Sequence, residues 1–335
     1  MGLNKAFKKV LFGAGMLFSS QLVNAQQQGQ YSQYMMNYFL INPAVSGVDD
    51  FVDIRAGYRN QWTGLDGAPR NYYVTAHTPL NKIHSKLSKK KANPHHTLGA
   101  IVSGQTLGVF QHNTAYLTYA YHMPLTKKAM VSVGVQAGAN QISVDRNKLN
   151  WGDNVADPVE SGSLTRTKFD MGLGMWFYTP KFFAGISSMQ ILQNRLNFSE
   201  GDASGTGVLN RHYYLTAGYR IKIDDNWTYI PSVLLKGTTA AYQIDINSKV
   251  RYKDFFWAGA SYRRTDALVL LAGVGIPLSS LRPNQKHGNN ALLEIGYSYD
   301  ATTSKLNKFS SGSHEIMVGL RLPTQGRMLC PQDYW

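Results

Sequence analysis

Between Tyr242 and Tyr252 the chain alternates strictly. The even positions are Tyr242, Ile244, Ile246, Ser248, Val250 and Tyr252, and the odd positions are Gln243, Asp245, Asn247, Lys249 and Arg251. Successive side chains of a strand point to opposite faces, so this two-residue period predicts a strand with one apolar and one charged face. The segment is as long as a tilted membrane-spanning strand, and it carries an aromatic at each end of its apolar face, where amphipathic rings favour the membrane–water interface. The same pattern predicts strands over Phe51–Asn60, Asn71–Pro79, Thr97–Gln105, Asn113–Met123, Ala129–Gln141, Thr167–Tyr178 and Lys181–Gln190. It continues over Arg211–Ile223, Asn226–Lys236, Ala240–Tyr252, Asp254–Arg264, Ala267–Leu278, Ala291–Asp300 and His314–Pro323. The total is about 14, an even number of the kind single-chain bacterial barrels have.

The links between these segments carry a second regularity. Pro124–Lys128, Thr179-Pro180, Asp224-Asp225 and Lys253 are short and share one parity. The long Ile142–Arg166 and Ile191–Asn210 belong to the other parity. Short periplasmic turns and long outer loops are the habit of outer-membrane barrels. Leu80–His96 and Ser279–Asn290 depart from it, being long yet periplasmic by count. A sheet in lipid must pair every backbone polar group internally, which closure achieves and an open sandwich does not. The expected fold is therefore all-β, a transmembrane antiparallel β-barrel of the outer membrane over residues 51–323, with a C-terminal periplasmic tail over 324–335.

The first 25 residues read as an export signal. Lys5, Lys8 and Lys9 precede the apolar stretch Val10–Leu22, and Val23-Asn24-Ala25 ends in small residues before the polar Gln26. Residues 26–50 show neither period and are expected to form an arm, a short helix or a plug inside the barrel. The single cysteine, Cys330, leaves no intrachain disulfide.

Composition narrows the function. The chain has 335 residues, is 43% hydrophobic and has a mean hydropathy of -0.27. No apolar run reaches the roughly 20 residues of a membrane helix. The formal net charge is +14, and the three lysines of the leader account for part of it, leaving +11. A basic exported protein meets anionic lipid, polyanionic glycans or an acidic protein partner, and the compartment argues against nucleic acid. Strand charges such as Asp170, Asp245, Lys249, Arg251, Glu294 and Arg321 are expected to face the lumen, where they either line a pore or pair and fill it.

Little in the sequence points to chemistry. There is no G-x-S-x-G elbow, and no catalytic residue or cofactor site is expected. His95-His96 are adjacent, so on an extended chain they point apart and do not share a metal. Asp153, Asp157 and Glu160 supply carboxylates without the spacing of an EF-hand. The run Lys86, Lys89, Lys90 and Lys91 reads either as a solvated loop or as a docking patch for an acidic periplasmic protein.

One stretch is specific. Gln30-Tyr31-Ser32-Gln33-Tyr34-Met35-Met36-Asn37, then Asn42-Pro43-Ala44 and Gly47, resembles the start of the PorP/SprF family of type IX secretion membrane proteins. The likeness runs on through Tyr58-Arg59-Asn60-Gln61-Trp62, Gly64, Asp66-Gly67-Ala68-Pro69 and His77-Thr78-Pro79-Leu80. It implies a single outer-membrane barrel without catalysis, working with other type IX components. SprF-like members are associated with a gliding adhesin, whose C-terminal sorting domain they are thought to receive and retain at the surface. PorP-like members associate with the periplasmic ring and motor. A passive channel for small solutes is the rival reading. Residues Tyr34, Asn42, Pro43, Arg59, Gln61, Trp62, Gly64, Gly67, Pro69, His77 and Pro79 carry the motif, as structural or partner-binding positions. Trp151, Asp153, Asp157, Asn194 and Asn197, on the two long outer loops, are the candidate cargo contacts.

Overall fold

The structure is a computed structural model that describes residues 29–80, 94–148, 163–197, 206–239, 241–253, 255–264, 266–278 and 291–324. The strands are β1 (Phe51–Asn60), β2 (Arg70–Pro79), β3 (His95–Leu107), β4 (Phe110–Pro124), β5 (Met130–Asp145), β6 (Ser163–Tyr178) and β7 (Phe182–Met189). A small outer hairpin of β8 (Arg195–Asn197) and β9 (Thr206–Val208) follows. Then come β10 (His212–Tyr219), β11 (Ile221–Lys222), β12 (Trp227–Gly237), β13 (Tyr242–Tyr252), β14 (Phe256–Arg263), β15 (Ala267–Leu278), β16 (Ala291–Thr302) and β17 (Ser313–Pro323). Each barrel strand pairs antiparallel with its neighbours. The first strand pairs with the last, from Phe51↔Pro323 to Asn60↔His314, and this closes the sheet into a 14-stranded barrel among the described residues.

β10 and β11 are one barrel strand in a single register against β12, as Gly218↔Ser232 and Ile221↔Tyr229 show. The ladder lapses between them beside Pro231, which has no N–H to give.

The alternation predicts the two faces. In β1 the side chains of Asp53, Arg55 and Arg59 are buried in the lumen, while Ile54, Ala56 and Tyr58 face outward. Around the barrel the outward positions are Leu, Val, Ile, Phe and Tyr. Exposed rings gather at both rims, with Tyr58, Tyr72, Tyr213, Tyr242 and Tyr262 at one and Phe182, Tyr219, Trp227 and Phe256 at the other. That is the apolar band with aromatic girdles that a bilayer requires. The links 125–129, 179–181, 223–226 and 253–255 share the rim where β1 begins, which marks the periplasmic end. The opposite end is not uniformly long-looped, since 108–109 and 264–266 are also tight.

Strands β3 to β6 run further outward than the hydrophobic pattern predicts. β5 continues through Ile142 to Asp145 and β6 starts at Ser163, so the loop expected over 142–166 is shorter. The extension is polar on its outward face, with the Ser143 hydroxyl bonding those of Ser163 (2.8 Å) and Thr165 (3.0 Å), so it lacks the greasy outer face of the membrane strands. His95 and His96 also belong to a strand rather than to the basic loop. They do point apart: His95 is buried and stacks on His122 at 4.2 Å, and His96 is exposed.

The hydrophobic core lies inside the barrel and is built jointly by residues 29–50 and by inward-facing wall residues such as Tyr73, Trp176, Phe183 and Trp257. Residues 29–50 form three short 3-10 turns, Tyr34–Met36, Tyr38–Leu40 and Pro43–Val45, whose Tyr34, Met35, Tyr38, Phe39, Ala44 and Val45 are buried. An outer face committed to lipid leaves only the lumen for a water-excluded core.

Candidate functional site

The site is the interface between this N-terminal segment and the inner wall. The segment lies with Gln30–Gln33 in the outer half and descends to Asp50 at the periplasmic rim, where β1 begins. Its outer end meets a buried charge cluster. Arg59 on β1 binds Asp300 on β16 (2.8 Å) and reaches Glu315 on β17 (3.6 Å). Arg263 on β14 binds Asp300 (3.2 Å), Asp266 (3.2 Å) and Asp245 on β13 (3.4 Å). Two guanidiniums thus face four carboxylates, and the segment supplies further donors. The backbone N–H groups of Ser32 (2.6 Å) and Gln33 (3.2 Å) donate to Glu315, and the Ser32 hydroxyl donates to Asp300 (2.7 Å). Buried carboxylates need such donors, so the wall and the segment complete one another.

A second cluster, nearer the periplasm, balances within itself. Arg55 pairs with Asp53 (2.7 Å) and Glu294 (2.9 Å), and Arg321 pairs with the same two acids at 3.3 Å each. The charges of these two clusters therefore pair across the lumen.

The middle of the segment packs on the wall through close contacts. The Asn42 side chain accepts from the Ala44 N–H (3.0 Å), capping the third turn at the residue before Pro43. Its Nδ2 donates to the carbonyls of Met175 (3.1 Å) on β6 and Ile186 (3.2 Å) on β7. This approach requires glycine beneath it: a Cβ on Gly174 would sit 2.0 Å from Asn42 Oδ1, and one on Gly134 would sit 2.5 Å from the Ala44 nitrogen. Tyr38 packs against Trp176 and Phe183, each at 5.5 Å, and the two wall rings stack at 5.4 Å. Tyr34 accepts from Asn247 (2.6 Å), and Asn37 donates to Thr75 (2.9 Å). Lower down, His122 Nε2 donates to the Ser46 carbonyl (2.7 Å) and the Gly47 N–H donates to His77 Nδ1 (3.2 Å). Asp49, outside the strands at the periplasmic end, has its carboxyl raised to about 6 by burial, which Arg321 partly opposes.

The motif residues divide in space. Tyr34, Asn42, Pro43, Arg59 and His77 converge on the segment–wall interface. Gln61, Trp62, Gly64, Gly67 and Pro69 shape the first outer turn, where Gln61 N–H donates to the Pro69 carbonyl (2.9 Å). That turn holds Trp62, Gly64 and Gly67 at φ of 49°, 98° and 72°, conformations that glycine adopts without a steric penalty. Pro79 ends β2 opposite Thr97. Asn194 binds the Phe169 carbonyl (2.7 Å), which ties the outer loop to β6. Trp151, Asp153, Asp157, Glu160, the Asn197 side chain, Lys86, Lys89, Lys90, Lys91 and Cys330 lie outside the described residues. Among the described residues no group of His, Cys, Asp and Glu is arranged to hold a metal ion.

Asp53, Arg55, Arg263, Asp300 and Glu315 were not singled out by motif reasoning. All occupy lumen-facing positions of their strands, so the same two-residue period that places Asp245 also places them.

The family model described as Type IX secretion system membrane protein PorP/SprF matches residues 23–320. No curated protein matches the chain. Solved structures with a similar fold include the Ralstonia pickettii toluene transporter TbuX, at 11% identity and TM-score 0.48, covering 87% of this chain and 93% of that one. A Pseudomonas aeruginosa FadL homologue follows at 10% identity and TM-score 0.46, covering 84% and 91%. The translocator domain of the autotransporter NalP from Neisseria meningitidis is similar at 12% identity and TM-score 0.40, covering 96% and 98%.

Proposed function

The chain belongs to the PorP/SprF family of type IX secretion system membrane proteins, and on that premise we propose that it is a non-catalytic holder. In this reading it binds the C-terminal sorting domain of a secreted surface protein, gliding-adhesin-like, and supports that protein's export and retention. The first 25 residues serve as its cleaved export signal, and other type IX components are its partners. The observation that carries the reading is the filled lumen. Residues 29–50 occupy the interior and are bonded to the wall from Glu315 near the outer rim to His77 near the inner one. A barrel of this strand number is too narrow to pass a folded domain even when empty. Cargo therefore travels elsewhere and is held here from outside. The outer links between β5 and β6 and between β7 and β10 are the longest at that end in sequence, and are the candidates for that contact.

The test is a mild-detergent purification of the protein from its native membrane, with partners identified by mass spectrometry. A large surface protein or its C-terminal domain should co-purify with type IX components, and trimming the two loops should release it. Retention of cargo after both loops are trimmed would refute the outer-surface holder. Recovery of an isolated barrel with steady conductance would favour the channel.

A further inference from the structure

The ends of β3 to β6 that rise past the outer girdle reverse the pattern of the strands below them. The girdle meets this wall where Tyr72 lies opposite Gly104, and Gly104 opposite Asn113. Below that level the outward face carries Leu117, Val133 and Leu173, and the inward face carries Thr118, Ser132 and Asp170. Above it the outward row is Thr106, Gln111, Ser143 and Thr165, joined in register across the four strands. The inward row, also in register, is Leu107, Phe110, Val144 and Leu164. Phe110 is 50% exposed and Leu107 43%, and Val144 and Leu164 are half-buried.

Neither lipid nor the N-terminal segment accounts for this row. Lipid touches the outward face, which at this height is a band of hydroxyls and amides. The N-terminal segment stops lower. Its outermost described residues, Gly29 and Tyr31, share a recess with Gln105 and His112, one row nearer the membrane. Four apolar side chains abreast span three interstrand spacings, about 14 Å. A contiguous apolar patch held out in water marks contact with another protein. The same face also carries charge: Lys168 stands exposed two rows below Leu164, and among the described residues it has no acidic partner. An aromatic anchor beside a free cation suits an apolar surface edged by a carboxylate.

We propose that this inward-facing row at the ends of β3 to β6 is the docking surface for the cargo's C-terminal domain, which lays an apolar edge across Phe110 and sets a carboxylate against Lys168. The inference rests on the holder reading and gives it a place, carrying the contact from the β5–β6 link onto the strand ends that bear it. The occupant is a protein domain seated over the mouth, because the row shares the face that lower down lines the lumen, and the polar row is the one turned towards the bilayer.

The experiment uses the full-length protein in its native membrane. The photocrosslinker p-benzoylphenylalanine replaces Phe110 in one variant and Gln111, on the opposite face, in another, and irradiation precedes purification. Position 110 should give an adduct with the C-terminal domain of the surface protein that co-purifies with wild type, and position 111 should not. Phe110→Asp combined with Val144→Asp should lower cargo recovery by about tenfold or more, as loss of an interface anchor does. Lys168→Glu should lower it severalfold, and more at low salt than at high. Gln111→Asp combined with Ser143→Asp, on the outward face, should leave recovery within about twofold of wild type. The heat-dependent gel shift of a closed barrel checks folding, and the crosslink, made through a side chain of similar shape, decides the matter should the aspartates unfold the protein. Equal cargo recovery with the folded Phe110→Asp, Val144→Asp protein, or an adduct from position 110 confined to the chain itself, would overturn the docking surface and leave the holder reading standing. Absence of cargo from the wild-type purification would overturn both.

Discussion

Asn42→Ala isolates the contact that fixes the middle of the N-terminal segment. The substitution removes the cap on the third turn, worth about 0.5–2 kcal/mol. It also removes both bonds from Nδ2 to the Met175 and Ile186 carbonyls, each worth about 0.5–1.5 kcal/mol net. Together these weaken docking of the segment by about 3 kcal/mol. At about 1.4 kcal/mol per tenfold, the undocked population should rise about a hundredfold. The barrel wall loses no side chain, so the sheet itself should persist. A cysteine placed at the buried Ser46, in a Cys330→Ser background, reports undocking through its rate of thiol labelling. Brief conductance events in a planar bilayer report it separately. Gly174→Ala approaches the same contact from the wall, because its new Cβ would collide with Asn42 Oδ1, and it should act in the same direction. Labelling of the Asn42→Ala protein within about threefold of its parent would refute the claim that these bonds hold the segment in the lumen.

Two further expectations concern the charges. Arg59→Met leaves Asp300 and Glu315 short of their shared cation and should destabilise the barrel by about 3–5 kcal/mol. Thermal unfolding should show the loss, Glu315→Gln in the same background should recover part of it, and an unchanged melting temperature would contradict the network. Asp49 titrates at about 6 in the folded protein against an ordinary 3.8, so its contribution to stability is full below about 4 and is lost as pH rises through about 6. It is faced by Arg321 on β17, Asp53 on β1, Arg220 and Arg251, with His77 lining the same cavity. Labelling at position 46 should therefore quicken between pH 4.5 and 7 in the parent and vary less in Asp49→Asn; identical pH profiles would count against the burial of Asp49.

The sequence was most legible where lipid dictates it. A strand between bilayer and lumen must alternate, so β1, β13 and β15 could be read almost to the residue, and the parity that sends Ile246 outward sends Asp245 and Lys249 inward. Legibility faded where the membrane stops: the outer ends of β5 and β6 are held by hydroxyl ladders and backbone bonds, which impose no hydrophobic period. Motif reasoning reached Asn42, Pro43, Arg59 and His77 as residue types without saying what they touch.

By itself, then, the sequence determined which side chains face lipid and which face inward, because that choice is local and repeats every second residue. Only the tertiary structure decided what fills the inside. Arg59 lies 241 residues before Asp300 in the chain and further still from Glu315, and closure of the sheet between β1 and β17 is what brings it to them. The course of residues 29–50 follows the same logic. With no period of its own, the segment takes its shape from donors and acceptors on strands scattered along the chain, and from glycines that leave room for it on the wall.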